Sequence, residues 1–380
     1  MSVTDHEKPV LILGGHGRVG QVVVRHLLAH SDVFLQVASR RNPVIPDEQA
    51  DRVQGIALDV FDAKALHTAV GRARLVIACI GPSGVIGDRV AHACCEAGVP
   101  LVDAGGYDPL LTALEAREQE RPASVPLLIS VGLMPGLTGL FPRYVMDRTA
   151  AGRAIERLST YCIGRDAWTY NSAWDIVHSL GDFGQDRGFP VIRNGRHESV
   201  GFLKATRKTA FGGDAGSVTT MLMPSEELAR LARQLAIPEA RAYGSNVGSR
   251  AAMVCGVTKM LGLYRSTAGI ERSARWLERA SRKDLRRLEP LYGLKVEVAY
   301  ADGAEISATL RVTDTYLATG AVIAISALCL LEGEPLRAGV QMLHEAFDSR
   351  RFMRLLDAEG LITVDGLSPS LSVPAQRSHA

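Results

Sequence analysis

Three glycines define the first chemistry this chain can do. Gly15, Gly17 and Gly20 form a G-x-G-x-x-G run directly after the apolar stretch Val10-Leu11-Ile12-Leu13. Directly behind them comes Gln21-Val22-Val23-Val24-Arg25-His26-Leu27-Leu28, apolar-rich and of helix length. Strand, glycine turn and helix in that order is the context in which main-chain N–H groups cradle a dinucleotide pyrophosphate. Gly15 is expected to permit the tight turn, Gly17 to let the backbone approach the phosphates, and Gly20 to let the helix pack closely on the strand. Arg18 and Val19 lie in the same turn, and the positive end of the helix dipole faces the anion. His16, inside the run, is expected to pack near the pyrophosphate rather than act on substrate. An ordinary glycine-rich turn is the bland alternative, and the flanking elements favour the cofactor.

The tip of the second apolar run, residues 33–38, is Ser39-Arg40-Arg41. NAD-preferring sites place Asp or Glu there to accept from the ribose 2′-hydroxyl. A hydroxyl followed by two guanidiniums instead suits a 2′-phosphate, so NADP is the expected cofactor. The alternative is a pair of solvated loop charges. Asp59 and Val60 close the third strand, where adenine would lie. Cys79, Ile80 and Gly81 lead into Pro82-Ser83-Gly84, where the chain passes the nicotinamide ribose in such folds.

Proton donors are expected in the cleft between the two domains. Tyr107 and Asp108 follow Gly105-Gly106 at a strand's carboxyl end, the edge at which open α/β sheets bind ligands. Tyr107 would donate a proton and Asp108 would hold an ammonium or iminium; a Tyr-Asp-Pro helix-capping turn explains them equally well. Further on, Tyr170, Trp174, Asp175 and His178 share one side if their segment is helical. An Asp175/His178 pair would keep an imidazole charged as an acid, or would be purely structural. Arg143 and Arg165 are weaker candidates for anchoring a substrate carboxylate.

The elements that must position these groups read as two domains. The first 140 residues alternate strand and helix as in a doubly wound parallel sheet. Residues 126–131 form its last strand, and Pro135 and Gly136 then free a new helix N-terminus. Segments 155–163, 189–194, 199–205 and 217–223 alternate as strands of a largely antiparallel sheet. Segments 295–300 and 305–313 face each other across Ala301-Asp302-Gly303-Ala304, a strong hairpin signal. The apolar run 316–331 is too short for a membrane span and reads as a buried helix. The expected division is therefore 1–140 for the cofactor domain, 141–336 for a mixed α+β substrate domain, 337–367 returning to the first, and a frayed tail at 368–380.

Composition narrows the function. With 380 residues and a net charge of +2, the chain is long enough for two cores and has no charge imbalance that calls for nucleic acid. Its one local excess of base, residues 272–287, fits a helix with a solvated face or, alternatively, an anion- or carrier-docking surface. Six cysteines show no C-x-x-C pair and no Cys/His metal spacing, so free thiols in a reducing compartment and no metal are expected. The polar start of the chain carries no apolar signal region, which points to a cytoplasmic protein.

On four stretches the chain resembles the saccharopine dehydrogenase-like (saccharopine reductase) family of NADP-dependent oxidoreductases. They are Gly14–Gly20 with Ser39-Arg40, the Ile80-Gly81-Pro82 turn, Val102-Asp103-Ala104-Gly105-Gly106, and Gly132-Leu133-Met134-Pro135-Gly136-Leu137. Family members often carry Asp where Met134 stands and Gly-Glu where Tyr107-Asp108 stands. The resemblance implies a Rossmann domain, a mixed α/β domain that binds a small-molecule substrate and mediates dimerisation, and hydride transfer between NADPH and a C=N bond. Two other functions remain open at this point: reduction of a C=C or C=O bond on a carrier-bound intermediate, and non-catalytic dinucleotide sensing.

Overall fold

The computed structural model describes residues 8–41, 43–105, 108–180, 189–212 and 215–367. The chain begins with β1 (Val10–Leu13), α1 (Arg18–His30), β2 (Leu35–Ser39), β3 (Val53–Ala57) and α2 (Ala63–Gly71). It continues through β4 (Leu75–Ala78), α3 (Ser83–Ile86), α4 (Arg89–Ala97), β5 (Leu101–Asp103), α5 (Asp108–Glu120), β6 (Pro126–Leu128) and α6 (Thr138–Thr149). Next come β7 (Ile155–Arg165), α7 (Tyr170–Ser179), β8 (Phe189–Arg193), β9 (Arg196–Val200), β10 (Thr206–Gly212) and β11 (Gly216–Leu222). Then follow α8 (Glu226–Gln234), β12 (Glu239–Asn246), α9 (Ser249–Met260), α10 (Thr267–Asp284), β13 (Leu291–Tyr300) and β14 (Glu305–Val312). The last elements are α11 (Thr315–Leu331), β15 (Gly339–Gln341), α12 (Leu343–Ala346), α13 (Ser349–Ala358) and β16 (Ile362–Asp365).

Seven parallel strands form the first sheet in the order β15-β6-β5-β4-β1-β2-β3. Its central strands β1 and β4 are uniformly apolar because helices cover both faces and leave neither to water. One layer includes α1 and α11, which pack against each other, and α11 also reaches β4 and β5. Helix α11 is buried over most of its length, and Asp314 caps its start by accepting from the N–H groups of Tyr316 and Leu317. Among the described residues, no helix is long and apolar enough to cross a membrane.

The second sheet follows the order β10-β11-β12-β7-β13-β14-β16, with the β8–β9 hairpin attached to β12. It is mixed, because β12 runs parallel to β7 while its other pairs are antiparallel. The Asp302-Gly303 turn closes the β13–β14 hairpin as its sequence predicts, with Gly303 in the left-handed region. The strand expected over 199–205 instead ends at Val200 and gives way to a 3₁₀ turn over Phe202–Lys204.

The two sheets share elements rather than meeting as separate bodies. In the C-terminal segment, β15 joins the first sheet beside β6, and β16 pairs with β14 of the second. Arg230 of α8 reinforces the junction, with Nε and Nη2 each 2.9 Å from a carboxylate oxygen of Glu345. Both partners are largely buried, and the two-pronged geometry suits a guanidinium fork. On α10 the face Ile270, Ala274 and Leu277 packs against Ala173, Trp174 and Val177 of α7. Its basic residues Arg272, Arg275, Arg279, Arg282 and Lys283 remain exposed.

Candidate functional site: a cleft at the carboxyl edge of the parallel sheet

Because the first sheet is parallel, the turns after β1, β2, β4, β5 and β6 gather along one edge. The turn after β1 forms the cradle. Gly14, not Gly15, adopts the left-handed conformation, with φ +78°. A Cβ at Gly14 would also lie 2.6 Å from the Cys79 carbonyl oxygen, so β1 and β4 close on each other only with glycine there. A Cβ at Gly20 would come 2.3 Å from the Gly14 carbonyl oxygen, which is how closely α1 approaches the turn. The assignment of the tight turn to Gly15 is thus corrected by one residue, while Gly20 has the close-packing role its spacing implies.

Helix α1 starts at an exposed Gly17 whose N-cap makes no side-chain hydrogen bond, and its first turn carries no acid. The uncapped N–H groups and the helix dipole favour an anion there. Arg18 turns elsewhere: its guanidinium lies 3.6 Å from the centre of the Tyr316 ring and donates to the Ala167 carbonyl at 3.2 Å. Val19 is half-buried against the core, and His16 is exposed beside the turn. At the end of β2, the Ser39 hydroxyl donates to the Arg41 carbonyl and shapes the tip. Arg40 and Arg41 are exposed and make no ion pair among the described residues. Exposed Asp59 accepts from the N–H of Phe61, with Val60 half-buried beside it. Ile80 packs on Gly14, and Gly81 lies beneath Asn171 of α7. These features fit an NADP molecule, with pyrophosphate at α1 and 2′-phosphate at Ser39, Arg40 and Arg41.

Across the cleft, α7 places Asp175 on the turn that follows β4. Its Oδ1 and Oδ2 accept from the Ser83 N–H at 2.9 and 3.2 Å. Burial pushes this carboxyl up to about 6, opposed by the N–H groups of Ser83 and Gly84 and the Ser83 hydroxyl. His178 stacks on Trp174, with ring centres 4.9 Å apart. Asp103, at the end of β5, accepts from the Gly105 N–H at 2.8 Å, and burial pushes it too up to about 6.

The turn after β6 meets a second foreign carboxylate. Glu227 of α8 accepts from the Gly136 N–H at 3.0 Å and from the Thr138 hydroxyl at 2.5 Å. It is 4% exposed, and burial pushes its carboxyl up to about 8 against the pull of Thr138, Gly136 and Gly139. Beside it, Met134 is half-exposed, with Sδ 3.3 Å from Cys162 Sγ, and the buried Tyr292 hydroxyl touches both Cys162 and the Leu133 carbonyl.

Residues 10–126 match the family model of the saccharopine dehydrogenase NADP binding domain. That match lies wholly within the N-terminal part of the chain. Over 152 residues the chain is 28% identical to an Arabidopsis thaliana protein described as a probable mitochondrial saccharopine dehydrogenase-like oxidoreductase. That stretch spans 34% of this chain and only 33% of the relative. Among solved structures, saccharopine dehydrogenase (L-Glu forming) from Saccharomyces cerevisiae shares the fold, with TM-score 0.63 and 17% identity over 95% of this chain and all of that one. A mutant meso-dapdh from Clostridium tetani aligns with TM-score 0.45 and 14% identity over 88% of this chain and 93% of that one.

The structure gathers Gly17, Ser39, Gly81 and Asp175 along the same edge of the parallel sheet. Tyr107 lies outside the described residues, and Asp108 is described only as the start of α5. Arg143 binds Asp147 through Nε at 2.9 Å from both carboxylate oxygens, and Arg165 donates to the Glu289 carbonyl at 2.8 Å. The Nε of Arg143 is thus committed to Asp147 and that of Arg165 to the Glu289 carbonyl. Glu227 and Asp103 were not among the candidates read from sequence. Asp103 carried a signal, a carboxylate ending an apolar strand, whereas Glu227 looks like any acid in a helix's first turn.

Proposed function

We propose that the protein is an NADP-dependent oxidoreductase acting on the C=N bond of a small imine derived from an amino acid. The bound cofactor would supply or accept the hydride, and the chain's own residues orient the two reactants and manage charge. Main-chain N–H groups at α1 hold the pyrophosphate, and Arg40 with Arg41 offers unpaired cations for the 2′-phosphate. The observation that carries the reading is Asp175, a carboxyl from α7 that burial pushes up to about 6 and that accepts from the Ser83 N–H on the turn after β4. A group poised there can keep a proton close to an imine nitrogen, or hold the charge of an iminium, without a large change in its own state.

Support for imine chemistry comes from the yeast fold relative and the plant relative, both named for saccharopine dehydrogenase. The test is NADPH consumption with panels of amines and 2-oxo acids, offered singly and in pairs. Turnover only with a pair supports imine reduction. Turnover with a carbonyl compound alone supports C=O reduction. Tight NADPH binding without turnover on any panel, including carrier-bound acyl substrates, supports a sensor.

A further inference from the structure

We propose that His26, His30 and Glu359 form a binding site for one divalent transition-metal ion of the zinc class. Helix α1 sets the two histidines four residues apart on one side, with ring centres 4.5 Å apart. Glu359, the C-cap residue of α13, brings Oε2 to 3.4 Å from His26 Nδ1. One donor atom from each of the three residues lies within 4.8 Å of the others. Tetrahedral zinc with bonds of about 2.0–2.1 Å separates its ligands by roughly 3.3–3.5 Å, so the His26–Glu359 edge already has the required length. His30 is exposed and can swing in to shorten the remaining edges.

The surroundings favour a cation over a simple ion pair. His30 stands in the last turn of α1 and Glu359 closes α13, so two helix C-termini point their partial negative charge at the site. Two imidazoles and one carboxylate select zinc, cobalt, nickel or copper over magnesium and calcium. The site is not visible in the sequence because its third ligand comes from the far end of the chain. The ion would staple the helix that carries the phosphate cradle to α13, whose continuation β16 belongs to the second sheet.

The experiment uses full-length protein without a histidine tag, stripped with chelator, and measures zinc by equilibrium dialysis and melting temperature with zinc or magnesium. One zinc per chain should bind and raise the melting temperature, with magnesium inert. His30→Ala and Glu359→Gln should each weaken zinc binding at least tenfold. Removing exposed His30 should leave the metal-free melting temperature unchanged, which separates lost ligation from lost fold. A control at a distant histidine, His67→Ala, should bind zinc as wild type does. No saturable zinc binding, undiminished affinity in both variants, or an equal response to magnesium would overturn the proposal. So would a Glu359→Gln variant that only lowers metal-free stability, as expected of a plain His26–Glu359 ion pair.

Discussion

Two kinds of helix start share the carboxyl edge of the parallel sheet. At α1 the first N–H groups have no side-chain acceptor and the first turn has no acid. At α3 the Ser83 N–H is occupied by Asp175, and at the entry to α6 the Gly136 N–H and the Thr138 hydroxyl are occupied by Glu227, carboxylates delivered from α7 and α8. The physics is the same in each case, since a helix N-terminus prefers an anion. The source of the anion differs. Two sites are filled by the protein itself and join the two layers, while the third is left open, where the proposed pyrophosphate would lie.

The largest expected effect comes from obstructing the open start. Gly17→Val sets a branched side chain over the exposed N-cap of α1, where the phosphates must approach. NADPH affinity, followed by fluorescence titration, should fall a hundredfold or more with the melting temperature nearly unchanged. Retained affinity would mean the pyrophosphate binds elsewhere and the contrast between open and filled starts fails. Ser39→Asp tests the neighbouring strand tip. It removes the hydroxyl that donates to the Arg41 carbonyl and adds repulsion to a 2′-phosphate. Affinity for NADPH should drop at least tenfold relative to NADH, and an equal loss for both would remove Ser39 from cofactor selection.

The open start was legible in the sequence and the filled ones were not, for a definite reason. Gly17 and Gly20 act through Gly14 and Gly15, within ten residues, so spacing alone reveals them. Asp175 meets Ser83 across 92 positions, and Glu227 meets Gly136 across 91. Only the docking of α7 and α8 creates those contacts. Glu227 was further hidden because Ser225 caps α8, with Glu226 and Glu227 following as a conventional acidic first turn. Strand β12, Glu-Ala-Arg-Ala-Tyr-Gly-Ser-Asn, has too little β-branched character to be seen alone, and pairing with β7 supplies what propensity lacks. Even the cradle kept one secret: adjacent glycines look identical in sequence, and only the backbone shows that Gly14 carries the positive φ.

The Glu227 joint predicts a pH-dependent stability. Its carboxyl rises from the ordinary 4.5 to about 8 in the folded protein, so the folded state holds a proton that the unfolded chain releases. Between pH 4.5 and about 8 this group therefore makes stability fall as pH rises, by at most about 1.4 kcal/mol per pH unit. Its contribution is full below pH 4.5 and no longer changes above about 8. Glu227→Gln keeps a neutral acceptor for the Gly136 N–H and should flatten that slope in denaturant unfolding series. An unchanged slope would assign the pH dependence to other groups.

The smallest effect is expected at Asp175, and it decides whether a filled helix start can also do chemistry. Asp175→Asn retains one carbonyl oxygen for the Ser83 N–H but loses the charge and the second acceptor. As a joint alone, the residue should show a loss of about 0.5–2 kcal/mol in stability, the usual range for a capping side chain. NADPH affinity and turnover per folded molecule should then change only a few-fold, since the phosphates are held at α1. If Asp175 also holds the proton for the imine, turnover should drop at least tenfold, a barrier increase of about 1.4 kcal/mol. The pH profile of kcat/KM separates the cases independently of stability. A proton-holding Asp175 gives wild type a limb near pH 6 that the Asn variant lacks, because burial places this carboxyl at about 6. A limb that persists in the variant would confine Asp175 to joining the layers and would turn the search for the proton donor toward Tyr107 and Asp108.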